Sequence, residues 1–295
     1  MSESRIRIAV QKSGRLSKPT LELLNRCGLK ADTYRRALLC PCEDFPVDLL
    51  FVRDDDIPMY VNDGACDIGI VGLNEAIEKA PREENRVKIL EHLGFGQCRL
   101  AIAIPEKDNS RDFSFTSLNG LKIASSYPVV LKQFLEKNSI IAEVIEMQGS
   151  VEIAPYMGIA DAICDLVSSG QTLKANKLHE VGTVLKSQAV VIGRSGEDDR
   201  DKINIITKLL NRMLGVKNAS TAKYIMMNAP KSSLSKISEL IPGMEMPTVI
   251  PLCGSKDQVA VHAVAQEPIF WETIERLKEM GASSIIVSPI EKIID

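Results

Sequence analysis

Between Ile6 and Ile192 short apolar runs alternate with helical stretches, and this alternation restricts the fold more than any other feature of the chain. Ile6–Val10, Val47–Val52 and Asp67–Val71 read as strands. Ser17-Lys18-Pro19 starts a helix that Gly28 closes, with serine as cap and proline in the first turn. Asp54–Asp56 and Pro58 open another helix, and Gly72-Leu73-Asn74 turns into a third. Such alternation predicts a mainly parallel sheet with crossover helices. Leu100–Ile104 is a further strand, and Lys122–Ser125, Glu143–Met147 and Ala160–Val167 give strands of a second unit. Its helices are expected over Pro128–Asn138 and Ser150–Met157. Val190–Ile192 and the helix Asp201–Leu214 return to the first unit. The expectation is an α/β core of two lobes, residues 1–104 with 187–220 and residues 105–186. Clefts at strand carboxyl ends are where open α/β sheets bind ligands.

The last part of the chain has a different pattern. Lys223–Asn228 reads as a strand and Leu234–Leu240 as a helix closed by Pro242-Gly243. Thr248–Leu252 and Gln258–Ala265 pair as a hairpin across Gly254-Ser255-Lys256-Asp257. The helix Phe270–Met280, stopped by Gly281, and the strand Ser284–Ser288 complete a βαββαβ order, the pattern of a small ferredoxin-like domain over residues 223–295.

Composition narrows the function classes. A net charge of −3 without a basic block or an aromatic-interleaved basic stripe argues against a nucleic-acid partner. The first ten residues lack the apolar core of a secretory signal, and no apolar run reaches the ~20 residues of a membrane span. A cytoplasmic protein with no membrane partner is the expectation. Seven scattered cysteines fit reduced core thiols better than a disulfide framework. Three isolated histidines, His92, His179 and His262, argue against a zinc site and against a His-centred triad.

The segment Glu152–Leu173 carries the most chemistry. Asp161 and Asp165 lie four apart on a predicted strand and so face one side. The strand runs into Ser168-Ser169-Gly170-Gln171-Thr172 at a helix start. Gly170 allows a positive φ, several N–H groups can converge on an anion, and three hydroxyls add donors. The acids would handle sugar hydroxyls or a magnesium ion. A bare Ser-Gly-x-Thr string is more often an ordinary helix cap with the acids solvated. Gln11-Lys12-Ser13-Gly14-Arg15-Leu16 follows the first strand, and a loop with Lys, Gly and Arg suits phosphates, although alone it reads as a solvated turn. Arg53 stands at a strand's carboxyl end facing the presumed cleft, with Asp54 as a helix cap. Asp67 to Gly72 is placed along the same cleft.

Glu152, Gly158, Ala160, Ile163, Asp165, Ser169, Gly170, Thr172 and Leu173 together match the signature of ATP phosphoribosyltransferases, and the chain resembles that family over essentially its whole length. The resemblance implies a two-lobed, periplasmic-binding-protein-like catalytic core followed by an ACT-like ferredoxin-like regulatory domain, the long, histidine-regulated form. It implies transfer of a phosphoribosyl group from phosphoribosyl pyrophosphate to N1 of ATP, with release of pyrophosphate, as the first step of L-histidine biosynthesis. Phosphoribosyl pyrophosphate would be held by Asp161, Asp165, Ser168, Ser169, Gly170, Gln171, Thr172 and Leu173. Lys12, Arg36 and Arg53 would be the catalytic cations, and Gly14, Arg15, Asp67 and Gly72 the ATP side of the cleft. Mg²⁺ would arrive with substrate, with Asp165 as a protein ligand. L-Histidine would bind near Gly281, Ala282 and Ser283, and a homo-oligomer, dimer and hexamer, is implied. Two rival classes remain: a solute-binding protein, which needs no such acid and Ser-Gly-x-Thr array, and a stand-alone amino-acid sensor, which would leave the first 220 residues unexplained.

Overall fold

The computed structural model describes residues 4–30, 37–80, 87–106, 114–196, 198–241, 246–265 and 271–294. The chain forms two compact units, Met1–Thr207 and Lys208–Asp295. All seven cysteines are free.

The first unit holds two sheets. One contains β1 (Ile6–Gln11), β2 (Leu39–Pro41), β3 (Val47–Val52), β4 (Ile68–Gly72), β5 (Val87–His92) and β11 (Ala189–Arg194) in the order β2-β3-β1-β4-β11-β5. The other contains β6 (Cys98–Pro105), β7 (Lys122–Ser125), β8 (Glu143–Glu146), β9 (Ala162–Val167) and β10 (Leu178–Ser187) in the order β10-β6-β9-β7-β8. In each sheet three parallel strands, β3-β1-β4 and β9-β7-β8, are extended by antiparallel ones. The helices α1 (Ser17–Arg26), α2 (Ile57–Asn62) and α3 (Leu73–Glu78) follow strands of the first lobe, and α4 (Pro128–Lys137) and α5 (Gln171–Ala175) follow strands of the second. Apolar residues on both faces of β9 explain its near-continuous apolar run. Ala162 and Cys164 pack toward α4 with Leu100, Ile102 and Leu131, while Ile163 and Val167 pack with Val151, Ala154 and Leu173.

Several sequence expectations need correction. Leu100–Ile104 lies in β6 of the second sheet, so the lobes divide before Cys98 and not at Pro105. An apolar run states its burial but not which sheet takes it. Ser150–Met157 is no α-helix: a 3₁₀ turn at Val151–Ile153 is followed by turns, with Pro155 within the stretch. Ser17 is the first helical residue of α1, not its cap; the Gln11 side chain accepts from the Leu16 amide at 2.9 Å instead.

The second unit begins within α6 (Arg200–Ser220). Gly215 is required there because a Cβ would come within 2.9 Å of the Ile293 carbonyl oxygen, and the Ile293 amide donates to the Gly215 carbonyl at 3.0 Å. β12 (Lys223–Pro230), α7 (Leu234–Leu240), β13 (Thr248–Pro251), β14 (Gln258–Ala265), α8 (Trp271–Glu279) and β15 (Ser283–Pro289) follow. The strand order β13-β14-β12-β15, antiparallel throughout, is the ferredoxin-like arrangement that the βαββαβ pattern requires. Ile225, Met227, Val259, Val261, Ile237 and Leu277 form its core. The expected helix closure at Pro242-Gly243 lies outside the described residues.

Helix α8 ends in a Schellman motif. The Gly281 amide donates to Lys278 O at 2.9 Å and the Ala282 amide to Leu277 O at 3.0 Å, with Ala282 and Leu277 in one cluster. Gly281 has φ +86°, and a Cβ there would lie 3.0 Å from Pro230 Cγ. Gly281→Ala is therefore expected to destabilise this unit by about 1–2 kcal/mol, read as a lowered urea midpoint; an unchanged midpoint would show that the turn relaxes without cost.

Candidate active site

Most of the candidate residues stand in loops at the carboxyl ends of the parallel strands. At the end of β9, Gly170 adopts φ +77° and becomes the residue preceding α5. The first-turn amides of Gln171, Thr172 and Leu173 have no intrahelical acceptor. No side chain caps this helix, and among the described residues the hydroxyls of Ser168, Ser169 and Thr172 make no hydrogen bond. This is a cradle of unspent donors in the second lobe, as the residue types suggested.

Asp165 sits one turn of strand upstream, paired across from Ala101, on the face shared with Ile163 and Val167. Burial pushes its carboxyl above the usual range; the Leu166 amide, which donates to it, pulls it down, and the nearby Glu152 charge adds to the rise. Glu152 belongs here by that proximity, although its place in the signature was the only sign of it.

Asp161 is not part of this group. It precedes β9 at the opposite end, accepts from the Lys122 amide at 2.8 Å and donates its own amide to Lys122 O. The six residues of β9, at ~3.3 Å each, put it roughly 20 Å from the cradle. Asp67 is corrected in the same way. It precedes β4, exchanges hydrogen bonds with the Arg7 backbone and pairs with Lys202 Nζ at 2.9 Å, at the amino ends of the first lobe's strands.

The other first-lobe candidates do lie at carboxyl ends. Lys12 follows β1, with its amide on Val52 O at 2.8 Å and its side chain without an ion pair among the described residues. Gly14 is needed because a Cβ would meet Gln11 Nε2 at 2.6 Å, and Gln11 Nε2 in turn donates to Asp54. The Arg15 guanidinium donates to the Gly96 carbonyl in the segment leading to β6. Arg53 follows β3, is mostly exposed and pairs with Asp55 at 3.2 Å. Gly72 ends β4. Arg36 lies outside the described residues.

The lobes meet through α3, which residue patterns did not single out. Tyr127 Oη donates to Glu75 Oε1 at 2.9 Å, and Asn74 Nδ2 lies 3.2 Å from the same oxygen. Ser187 Oγ donates to Asn74 Oδ1 at 2.7 Å. Glu78 accepts the Val129 and Val130 amides, at 3.0 Å each, at the start of α4. Asn74 and Glu78, buried polar residues on a short helix, were the available signal. Burial raises the Glu75 carboxyl, opposed by the Tyr127 hydroxyl and reinforced by Asp54 and Asp55.

Of the candidate histidine contacts, Gly281 and Ala282 have both amides committed to the α8 cap, so neither amide is a donor for a ligand. Ser283 is exposed at the start of β15.

Asp165 also gives a pH test. A carboxyl raised in the folded state holds its proton more tightly than in the unfolded chain. Its contribution to stability is full below the ordinary carboxylate range and is lost as pH rises through the raised value. Asp165→Asn is therefore expected to raise the melting temperature at pH 7 and to lose that advantage near pH 4. Equal differences at both pH values would show that Asp165 ionises freely.

A family model described as ATP phosphoribosyltransferase matches residues 53–215, and one described as the HisG C-terminal domain matches residues 219–292. Among solved structures, a chain of the ATP phosphoribosyl transferase (HisG:HisZ) complex from Thermotoga maritima is similar at 24% identity and a TM-score of 0.57, covering 71% of this chain and 98% of that one. The GluR0 ligand-binding core in complex with L-glutamate is 13% identical, with a TM-score of 0.46 over 72% of this chain and 94% of that one. The probable amino-acid ABC transporter extracellular-binding protein ytmK of Bacillus subtilis is 13% identical, with a TM-score of 0.45 over 72% and 92%. Among the described residues no helix is long and apolar enough to cross a membrane, and no three His, Cys, Asp or Glu side chains gather as a metal-holding group.

Proposed function

The chain belongs to the ATP phosphoribosyltransferase family, and we propose from this that its cradle and cleft hold phosphoribosyl pyrophosphate for attack by ATP, in the long, histidine-regulated form of the enzyme. The family's reaction is the first step of histidine biosynthesis: ATP and phosphoribosyl pyrophosphate give 1-(5-phosphoribosyl)-ATP and pyrophosphate. The observation that carries the site assignment is the uncapped α5 start, with Gly170 at positive φ and three hydroxyls unspent.

N1 of adenine already carries a lone pair, so the reaction needs no base-activated nucleophile. The barrier lies in releasing pyrophosphate and in the positive charge that grows on the sugar, and preorganised groups lower it. In this reading the Ser168–Leu173 loop fixes the 5-phosphate through amides and hydroxyls. Asp165 holds ribose hydroxyls and faces the cationic sugar, while Lys12 and Arg53 receive the leaving group. Gly14, Arg15 and Gly72 form the first-lobe side of the cleft.

The donor set fits a magnesium ion brought by substrate. Mg²⁺ is commonly held by one or two carboxylates together with substrate phosphates, and Asp165 with Glu152 offers that number. When bound, the ion would supply charge neutralisation to the pyrophosphate.

The HisG_C-matched domain at residues 219–292 supports the long form, with L-histidine as end-product inhibitor and a homo-oligomeric assembly, dimer and hexamer, on which it acts. Histidine must prefer one arrangement of the enzyme, since equal affinity for two states shifts nothing.

The test is the near-ultraviolet adduct formed from ATP, phosphoribosyl pyrophosphate and Mg²⁺. Gly170→Val and Thr172→Ala are expected to cripple it through the phosphoribosyl substrate, with roughly 1.5–3 kcal/mol lost for the hydroxyl. Wild-type Michaelis constants in both folded variants would remove the cradle from the mechanism. For regulation, the intact enzyme is expected to lose activity as L-histidine is titrated to millimolar levels; full activity throughout would separate the C-terminal domain from histidine sensing.

A further inference from the structure

A cavity of about 500 Å³ opens in the second lobe, at the end of the sheet where β9 begins and so at the far end from the cradle. Its wall includes Pro105 and Glu106 at the end of β6, Pro155 and Tyr156 in the turns after Val151–Ile153, and Lys177 just before β10. These residues belong to the first unit, Met1–Thr207.

The wall holds two unlike charges that stay apart. Glu106 and Lys177 are backbone neighbours, the Glu106 amide donating to Lys177 O at 3.0 Å. Neither side chain makes an ion pair among the described residues, with the other or with a third group. Lys177 also occupies a costly backbone position. It follows Asn176, the C-cap of α5, its amide donates to Lys174 O at 3.1 Å, and its φ is +48°. A helix ordinarily ends on glycine there, because a Cβ disfavours the left-handed region. The chain thus carries a long cationic side chain where backbone conformation alone favours none. The rest of the wall is apolar and flat: two proline rings and the Tyr156 ring, which is 64% exposed.

We propose that this cavity binds a free α-amino acid with a planar apolar side chain. Its ammonium meets the Glu106 carboxylate, its carboxylate meets the Lys177 ammonium, and its ring lies against Tyr156 and the prolines. One exposed ion pair is worth little in water, so a simple ion gains little from either charge alone. A zwitterion engages both at once while its ring leaves water. A peptide terminus brings only one of the two charges to a given place, so the free amino acid is the better match. The volume falls in the range of small-molecule sites, roughly 300–1,000 Å³. The occupant would brace two segments from behind: Lys177 closes the stretch that starts at Gly170, and Tyr156 lies four residues beyond Glu152. The proposal does not depend on the phosphoribosyltransferase reading, since its test is binding and not turnover.

Calorimetric titration of the intact protein with L-phenylalanine tests the site. Saturable binding is expected, weakened about tenfold by Glu106→Gln and about tenfold by Lys177→Gly, the loss typical of one charged hydrogen bond. Both side chains are exposed, and Lys177→Gly relieves the left-handed backbone, so its melting temperature should not fall and a lost fold cannot account for lost binding. N-Acetyl-L-phenylalanine, which lacks the ammonium, should bind the wild type about tenfold more weakly and lose nothing further in Glu106→Gln. L-Phenylalaninamide, which lacks the carboxylate, should behave in the same way with Lys177→Gly. L-Alanine, which has no ring, should bind more weakly than L-phenylalanine. No saturable binding at millimolar L-phenylalanine, unchanged binding in either variant, additive losses in either pairing, or L-alanine binding as tightly as L-phenylalanine overturns the proposal.

Discussion

The geometry of the cleft depends on one buried carboxylate. Glu78 ends α3 in the first lobe, yet its oxygens accept the Val129 and Val130 amides at the start of α4 in the second. A helix start carries amides without partners and a partial positive charge, so a carboxylate there satisfies both. Net contributions of about 1.5–3 kcal/mol are typical of hydrogen bonds to a charged group. Removing Glu78 would also strand buried amides. The pairings of Asn74 with Ser187 and of Glu75 with Tyr127 lie on the same short helix and act in the same direction. Three polar side chains within five residues thus hold the lobes at one spacing, and the chain's two crossings add the Leu93 to Ala189 and Ala189 to Phe95 backbone bonds at 2.9 Å.

A fixed spacing matters because the chemistry is divided between lobes. In the proposed reading the donors for a sugar phosphate belong to the second lobe and Lys12, without an ion pair among the described residues, to the first. Between them runs a line of carboxylates in electrostatic contact: Asp54 and Asp55 act on Glu75, Glu75 and Asp165 on Tyr127, and Glu152 on Asp165. Tyr127 is held un-ionised by burial and by these charges, so its hydroxyl remains a donor to Glu75. Such a line repels free polyanions, whereas cationic character on the sugar would be favoured beside it. Arrangement, more than reactive side chains, would supply the rate in a reaction whose nucleophile needs no activation.

The elements and their types were legible because hydrophobic period and turn chemistry are local. Strand–helix alternation, Gly28 and Gly281 as helix stops, and the βαββαβ order were all written in short windows. The turn into α5 was legible because Gly170 and the neighbouring hydroxyl residues are contiguous. What was not legible is decided by contacts distant in sequence. The sheet that takes Leu100–Ile104 depends on β9 and β10, some sixty to eighty residues on. Glu78 and Tyr127 carry no motif and gain meaning only where α3 meets α4. Gly281 and Ala282 looked available to a ligand because a sequence does not show that both amides are consumed by the cap of α8.

Asp67 and Asp161 explain why an acid on a predicted strand can be read for the wrong end. Each immediately precedes an inner parallel strand, β4 or β9. Each accepts a backbone amide from the neighbouring parallel strand and donates its own amide to the same residue's carbonyl, Arg7 in one lobe and Lys122 in the other. The two lobes therefore use the same clamp at the amino ends of their sheets. A parallel ladder has slanted, evenly spaced bonds and leaves its first amides exposed, so a carboxylate there satisfies one and fixes where pairing begins. A slip of one residue would turn every side chain of the strand to the other face. It would carry Asp165 away from the face it shares with Ile163 and Val167 and would displace Gly170 from the head of α5. The acids at the amino ends thus fix strand register, whereas Asp165 lies toward the carboxyl end of β9, near the turn that leads into α5.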